Sequence, residues 1–294
     1  MRMRRIFTCA TAAVAVVLAT ALPQQALAQT ASAATTSDYD VVLAEPDFAL
    51  TALPTTLRLP QGKFGFRITH RFSRPIAGTC PDSGPKPDGC GGVGAFVENF
   101  FGFDSSSKVG LEVRYGLRPG TQVSLHRSND QAIQLAGQHR LLTQSDSTPV
   151  TVDVLGAIEG QNNFRETHTM TLGAVVSYAE TDRGALYAHP MLLFNSNPAS
   201  DTVVDDNHTV LLGLGGRLRL GQSDMYVVAE AAPRLAGFKP NVDHIAFGFE
   251  KRSGGHVFQL TVANAFGSTL RQVALGGPGN GDWFLGFTLS RRFF

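Results

Sequence analysis

The chain has 294 residues, 43% hydrophobic and 17% charged, and its 25 Lys plus Arg nearly balance 24 Asp plus Glu, giving a formal net charge of +1. That balance excludes a strongly basic surface and gives no nucleic acid as a partner.

The first residues read as an export signal. Arg2, Arg4 and Arg5 form a basic stretch, Ala10 to Leu22 an apolar one, and Ala26-Leu27-Ala28 a small-residue cleavage site. Residues 1–28 are therefore expected to be a cleavable signal peptide, with Gln29 the first mature residue. The apolar stretch is short and Ala-rich for a membrane-spanning helix. Cys9 precedes it, which excludes a lipoprotein anchor. Removing three arginines leaves a mature charge of 22 − 24 = −2.

Residues 29–62 read as a flexible or extended segment. Gln29 to Ser37 is rich in Ala and Thr, and such composition is flexible. Asp38 to Pro60 mixes apolar residues with Pro46, Pro54 and Pro60. It is expected to be extended and irregular, placed in the periplasm or tucked into a barrel mouth.

From residue 63 to 294 amphipathic runs of roughly ten residues recur between turn residues, the signature of a transmembrane β-barrel. The expected strands are 63–73, 107–116, 120–128, 130–142, 149–158, 166–179, 184–194, 207–220, 223–233, 241–251, 255–264 and 282–294. Twelve is the even number that bacterial barrels require, and 268–276 is a candidate for a further strand. No later segment has 18 consecutive apolar residues, so no spanning helix follows the signal.

The first long connection, 74–106, holds Cys80 and Cys90 in a Pro/Gly-rich stretch. In an exported chain such a pair reads as a disulfide. A metal site is the weaker reading, because that stretch holds no His or further Cys. Residues 95–102 are expected to form a short helix.

Connections alternate in length. The set 117–120, 143–148, 180–183, 221–222 and 253–254 is short, as periplasmic turns are, whereas 74–106, 195–206 and 265–281 are long, as extracellular loops are. The 128–129 hairpin is the short exception on the long side. Faces alternate as well: Val109, Leu111, Val113 and Tyr115 oppose Glu112 and Arg114, and Ile245, Phe247 and Phe249 oppose Glu250. The apolar rows are assigned to lipid and the polar rows to the lumen. A soluble β-sandwich also alternates, but charges opposite long apolar rows would be costly inside its core.

The last strand alternates Trp283, Leu285, Phe287, Leu289 and Phe293 with small or polar residues and stops at Phe294. An amphipathic final strand ending in Phe resembles the sorting signal of bacterial outer-membrane barrels, and implies the barrel-assembly machinery as a partner during insertion. Phe293, rather than Phe294, holds the apolar phase.

Several strings point to one family. Leu53-Pro54-Thr55-Thr56, Phe66-Arg67-Ile68-Thr69-His70-Arg71-Phe72, Phe101-Gly102-Phe103-Asp104-Ser105, the strand Gly110–Gly116 and Gly254-Gly255-His256-Val257-Phe258-Gln259-Leu260 resemble a family of bacterial β-barrel proteins catalogued as a domain of unknown function, of the 5777 type. The likeness runs from about residue 40 to near the C-terminus. It implies an outer-membrane barrel and supplies no activity.

Chemical motifs are sparse. A phosphate-binding Gly loop, Cys-x-x-Cys, His-Glu-x-x-His and the nucleophile elbow are all absent, so no cofactor, metal or catalytic residue is assigned. His126, His139, His168, His189, His208 and His244 lack metal-ligand spacing with one another. Pairs such as His256 with Ser268, or His168 with Ser177, give the spacing no support as catalytic pairs. The candidate functional residues are charges assigned to the lumen: Arg67, Arg71, Glu112, Arg114, Arg140, Asp153, Arg217, Arg219, Glu230 and Glu250. Rings of charge set pore selectivity, which points to a porin-like channel for small polar or anionic solutes. The second reading is a non-conducting barrel, its interior filled by an Arg–carboxylate network, whose outer loops bind a partner. A barrel-embedded hydrolase ranks third.

Overall fold

The computed structural model describes residues 43–77, 107–180, 183–197, 206–265, 267–279 and 281–293, with positions 94 and 97. All belong to one unit, Asp40–Phe294. The signal peptide, Cys80, Cys90 and Phe294 lie outside the described residues, as does the expected 95–102 helix apart from Val97.

The strands are β1 (Phe64–Ala77), β2 (Ser107–Arg118), β3 (Thr121–Ser128), β4 (Ile133–Leu142), β5 (Thr151–Gln161), β6 (Glu166–Glu180), β7 (Gly184–Phe194), β8 (His208–Arg219), β9 (Met225–Ala232), β10 (Arg234–Gly237), β11 (His244–Ser253), β12 (His256–Ala263) and β13 (Trp283–Phe293). Neighbours in sequence pair antiparallel. β1 pairs with β13 from Phe64↔Phe293 to Arg71↔Gly286, which closes the sheet. β9 and β10 both pair with β8 on either side of Pro233. They are one crossing interrupted where proline has no N–H to give the ladder. The fold is thus a closed, all-β, twelve-stranded antiparallel barrel, and closure leaves no exposed sheet edge.

Each crossing has two unlike faces. In β2 the outward Leu111, Val113 and Tyr115 are exposed, while the inward Glu112 and Arg114 are buried. The connections 119–120, 143–150, 220–224 and 254–255 lie at the end of the barrel that holds Phe64 and Phe293. This is called the turn end below. The opposite, loop end carries the long connections, with tight turns at 129–132 and 162–165.

The segment 268–276 is not a strand. It holds a short helix, α1 (Leu270–Leu275), with Thr269 as N-cap: the Thr269 side chain accepts from Gln272 N, and the Gln272 side chain accepts from the Thr269 backbone N–H. This capping box turns the chain into a helix before it can extend. No helix of the described residues is long and apolar enough to cross a membrane, and the crossing is made by strands.

The core lies inside the barrel. Leu50 and Leu53, from ahead of β1, cluster with Leu155, Val175, Leu193, Leu211 and Val228 of the wall and with Leu270 and Val273 of α1.

Candidate functional site

The segment placed by sequence in the periplasm or the barrel mouth fills the lumen. Residues 44–56 and Leu59 are buried, Leu57 and Arg58 half-buried. The segment folds back on itself: Ala49 bridges Pro54, Leu50 N–H donates to Leu53 O at 2.8 Å, and Thr55 N–H donates to Phe48 O at 2.9 Å. It is an irregular hairpin with limbs 44–49 and 54–59 and a tip at 50–53. Both limbs sit near the turn end. Gly62 N–H donates to Gly116 O at the end of β2, and the Glu45 carboxylate accepts from Tyr187 near the start of β7. Glycines make room for it. A Cβ on Gly215 would stand 2.4 Å from Leu50 Cδ1, and one on Gly116 2.1 Å from Pro60 O.

A hairpin this short leaves many buried peptide groups without partners of its own, and such groups must be satisfied. Wall side chains do so. At the tip, the Glu230 carboxylate accepts from the N–H groups of Thr51 (2.9 Å), Ala52 (2.9 Å) and Leu53 (3.1 Å), from the Thr51 hydroxyl, and from His244 Nε2 at 2.8 Å. On the other side Arg217 donates to Ala49 O at 2.7 Å and Gln259 to Leu50 O at 2.7 Å. Arg67 and Arg71 both donate to Thr51 O, at 2.6 and 3.3 Å. Along the second limb, His189 Nε2 stands 2.7 Å from Pro54 O, Gln138 donates to Thr55 O at 3.0 Å, Arg140 to Thr56 O, and Gln122 to Leu57 O at 3.2 Å.

The ten candidate charges can now be located. Arg67 stands 3.9 Å from Glu112, and Arg114 donates to Glu112 at 3.0 Å while lying over the Phe48 ring at 5.1 Å. Asp153 takes Arg140 at 2.7 Å and Arg58 of the hairpin. Arg217 holds Glu250 through two bonds of 2.7 and 3.0 Å. Nine of the ten therefore bear on the hairpin directly or through one partner. Arg219 does not: it donates to Ser223 O and Gln222 O in a turn. The anchors Gln122, Gln138 and Gln259, and the hairpin's own Glu45 and Arg58, were not singled out by sequence, and His189 and His244 were weighed there only as metal ligands. The anchors share the inward phase of their strands with the charges, which was the signal that could have found them. The Ser–His pairs considered from sequence are not brought together. Ser268 meets His126 instead, at 3.2 Å, and Ser177 meets Thr56 at 2.6 Å.

The loop end is covered by the 264–281 connection. Leu270, Val273 and Ala274 of α1 are buried. Leu270 N–H donates to Gln134 at 2.9 Å, Arg271 lies 4.0 Å from Glu159, and Arg234 donates to Leu275 O at 3.1 Å. Burial would raise Asp130 beneath α1, but hydrogen bonds from Lys108 and Ser128 hold it below the ordinary carboxylate range. Between hairpin and cap remains a cavity of about 40 Å³ bordered by Arg67, Glu112, Arg114 and Ser268, space for a few waters. Among the described residues no cluster of His, Cys, Asp and Glu could hold a metal ion.

On the outer wall, Trp283, Leu285, Phe287, Leu289 and Phe293 alternate with the inward Phe284, Gly286, Thr288, Ser290 and Arg292. Phe293 stacks on Phe64 with ring centres 4.7 Å apart across the closing pair.

The model of the membrane bound beta barrel domain DUF5777 matches residues 47–293. No curated protein matches. Among solved structures the NanC porin matches at 11% identity with a TM-score of 0.51, covering 78% of this chain and all of that one. An outer membrane channel from Pseudomonas putida F1 matches at 10% identity and a TM-score of 0.49, covering 81% of this chain and 98% of that one. At such identities the likeness is one of fold.

Proposed function

This chain belongs to the family of membrane-bound β-barrel domains DUF5777, and from that premise we propose that it is a porin-like outer-membrane conduit for small polar or anionic solutes, shut in the described conformation by its own hairpin. One observation carries the reading: the middle of the lumen is filled by a chain segment ahead of the first strand, packed against inward side chains of the wall. A barrel closed for good needs only bulky inward side chains. Here the wall instead presents Arg67, Arg71, Arg217 and Glu230 to a separate occupant, with Glu250 behind Arg217. Departure of residues 44–59, with α1 displaced at the loop end, would leave a passage lined by charge. With that passage open, the inward arginines act as electrostatic selectors for anions. The reading is one of passage, not catalysis. Export through residues 1–28, lipid against the outward apolar rows and delivery by the barrel-assembly machinery through β13 belong to the same proposal.

The test is single-channel conductance of the refolded full chain in a planar bilayer, compared with Glu230→Ala. The parent is expected to be mostly shut, with rare discrete anion-preferring steps, and the variant to open more often. The second reading, a non-conducting barrel whose outer loops dock a partner, is favoured by the small size of the cavity between hairpin and cap. It replaces the first if parent and variant are both folded and both silent.

A further inference from the structure

The cradle around the hairpin tip carries more charge than its occupant requires. Peptide N–H and C=O groups are neutral, and neutral partners satisfy them. At Thr51, however, the N–H and hydroxyl meet the Glu230 carboxylate while the carbonyl oxygen receives two guanidinium groups, from Arg67 and Arg71. Each of these three side chains is buried. The hydrogen-bond partners of Arg71 are all neutral oxygens, His70 O, Phe287 O, Thr288 Oγ1 and Thr51 O, and Glu230 acts on it as opposite charge without bonding it. Burying an ionised group costs several kcal/mol unless opposite charge and good hydrogen bonds offset it. A neutral carbonyl offsets this less well than a carboxylate, because it supplies a dipole and not the opposite charge that a buried ion needs.

The arrangement of signs is specific. Acceptor charge faces the nitrogen of Thr51 and donor charge faces its carbonyl, one α-carbon apart. A free α-amino acid has its ammonium and carboxylate in that relation. Its ammonium would meet Glu230 beside His244, and its carboxylate would meet Arg67 and Arg71.

We propose that the seat of Thr51 in the lumen is a binding site for small zwitterionic α-amino acids, and that such a solute displaces the hairpin tip by taking the same Glu230, Arg67 and Arg71 partners. Solute and hairpin are then competitors for one site. This inference rests on the conduit reading for its physiological sense, but the binding event itself does not need conduction. A simple anion satisfies only the arginine side and a simple cation only Glu230, so neither competes as well as a molecule carrying both.

Hydrogen–deuterium exchange of the 44–59 peptide in the refolded full chain reads the competition directly. L-Threonine, acetate and methylammonium are added in turn at equal ionic strength. L-Threonine is expected to speed exchange of 44–59 by about fivefold or more, the lower end of ordinary coupling between two ligands, and the two single-charge probes much less. Arg71→Gln, which leaves the Glu230 bonds to the tip in place, is expected to abolish the advantage of L-threonine over methylammonium. Glu230→Gln is expected to abolish its advantage over acetate. Should that variant release the tip unaided, calorimetric titration with L-threonine reads the loss of affinity instead. Unchanged exchange with L-threonine in the parent, or equal acceleration by acetate, overturns the proposal. A barrel that never conducts but whose hairpin responds to L-threonine supports the site while overturning the conduit. A conducting barrel blind to L-threonine does the reverse.

Discussion

The two closures of this lumen are built differently. The hairpin that enters from the turn end is held by its backbone. Carbonyls 49, 50 and 51 take Arg217, Gln259 and the Arg67/Arg71 pair, and N–H groups 51, 52 and 53 take Glu230. The cap at the loop end is held chiefly by its own side chains, with Leu270, Val273 and Ala274 buried and Gln272 closing a helix cap. A segment gripped by its backbone owes its place to the wall, whereas a segment gripped by its side chains owes it to its own sequence. To leave, the hairpin must exchange these polar partners as well as uncover Leu50 and Leu53. The cap has fewer such bonds to exchange and leaves chiefly by exposing apolar surface, which costs about 25 cal/mol for each Å².

The largest way to break this contrast acts on the wall. Arg217→Ala strips Glu250 of its bidentate partner and Ala49 O of its donor at once. Leaving one member of a buried ion pair alone costs about 3–5 kcal/mol. The variant is expected to lower the denaturant midpoint of the barrel, read by loss of the heat-modifiable folded band, while Arg219→Ala, whose bonds go to a turn, leaves that midpoint nearly unchanged. Equal shifts in the two variants would mean that the lumen network does not support the wall.

Glu230→Ala comes next, and it separates the closures. It removes one acceptor shared by three buried N–H groups, and each unsatisfied buried donor costs about 1–3 kcal/mol. The hairpin relieves that cost by leaving. Exchange at 44–59 is expected to rise steeply and exchange at 267–279 hardly at all. Joint acceleration would show that hairpin and cap open as one unit through the Leu50–Leu270 cluster.

Leu270→Ala is the converse. Truncating a buried leucine costs about 2–5 kcal/mol, with the low end where the site can collapse. A loss of about 2 kcal/mol is expected in the protection of 267–279, with 44–59 changed less.

Sequence reading captured the wall because a barrel imposes period two on every crossing, so Glu112 and Arg114 opposite Leu111 and Val113 fix both strand and face without any knowledge of neighbours. Nothing equivalent existed for the hairpin. Its limbs lack a period because wall side chains, not a neighbouring strand, satisfy most of their backbone groups, and those side chains lie up to 209 positions away, as with Gln259 and Leu50. The charged anchors were legible since an inward charge invites the question of its partner. Gln122, Gln138 and Gln259, in the same phase, posed no such question although they too bond the hairpin backbone. The cap was misjudged for a local reason. Thr269-x-x-Gln272 carried a capping-box signature, and weighing 268–276 as a strand overlooked it.

That signature supplies the smallest test. Thr269 closes the first turn of α1 by accepting from Gln272 N–H at 3.3 Å, and Gln272 also reaches Asp130 at 3.3 Å. Thr269→Ala removes the cap acceptor, a loss of about 1 kcal/mol, and Thr269→Ser restores it. The pair isolates capping from bulk, because serine lacks the methyl group but keeps the oxygen. Exchange of 267–279 is expected to quicken in the alanine variant and to return to the parent rate in the serine variant, with 44–59 unaffected in both. If serine behaves like alanine, the methyl group's packing, rather than the cap, holds the helix. The cap would then rest on side-chain burial alone, sharpening its contrast with the hairpin.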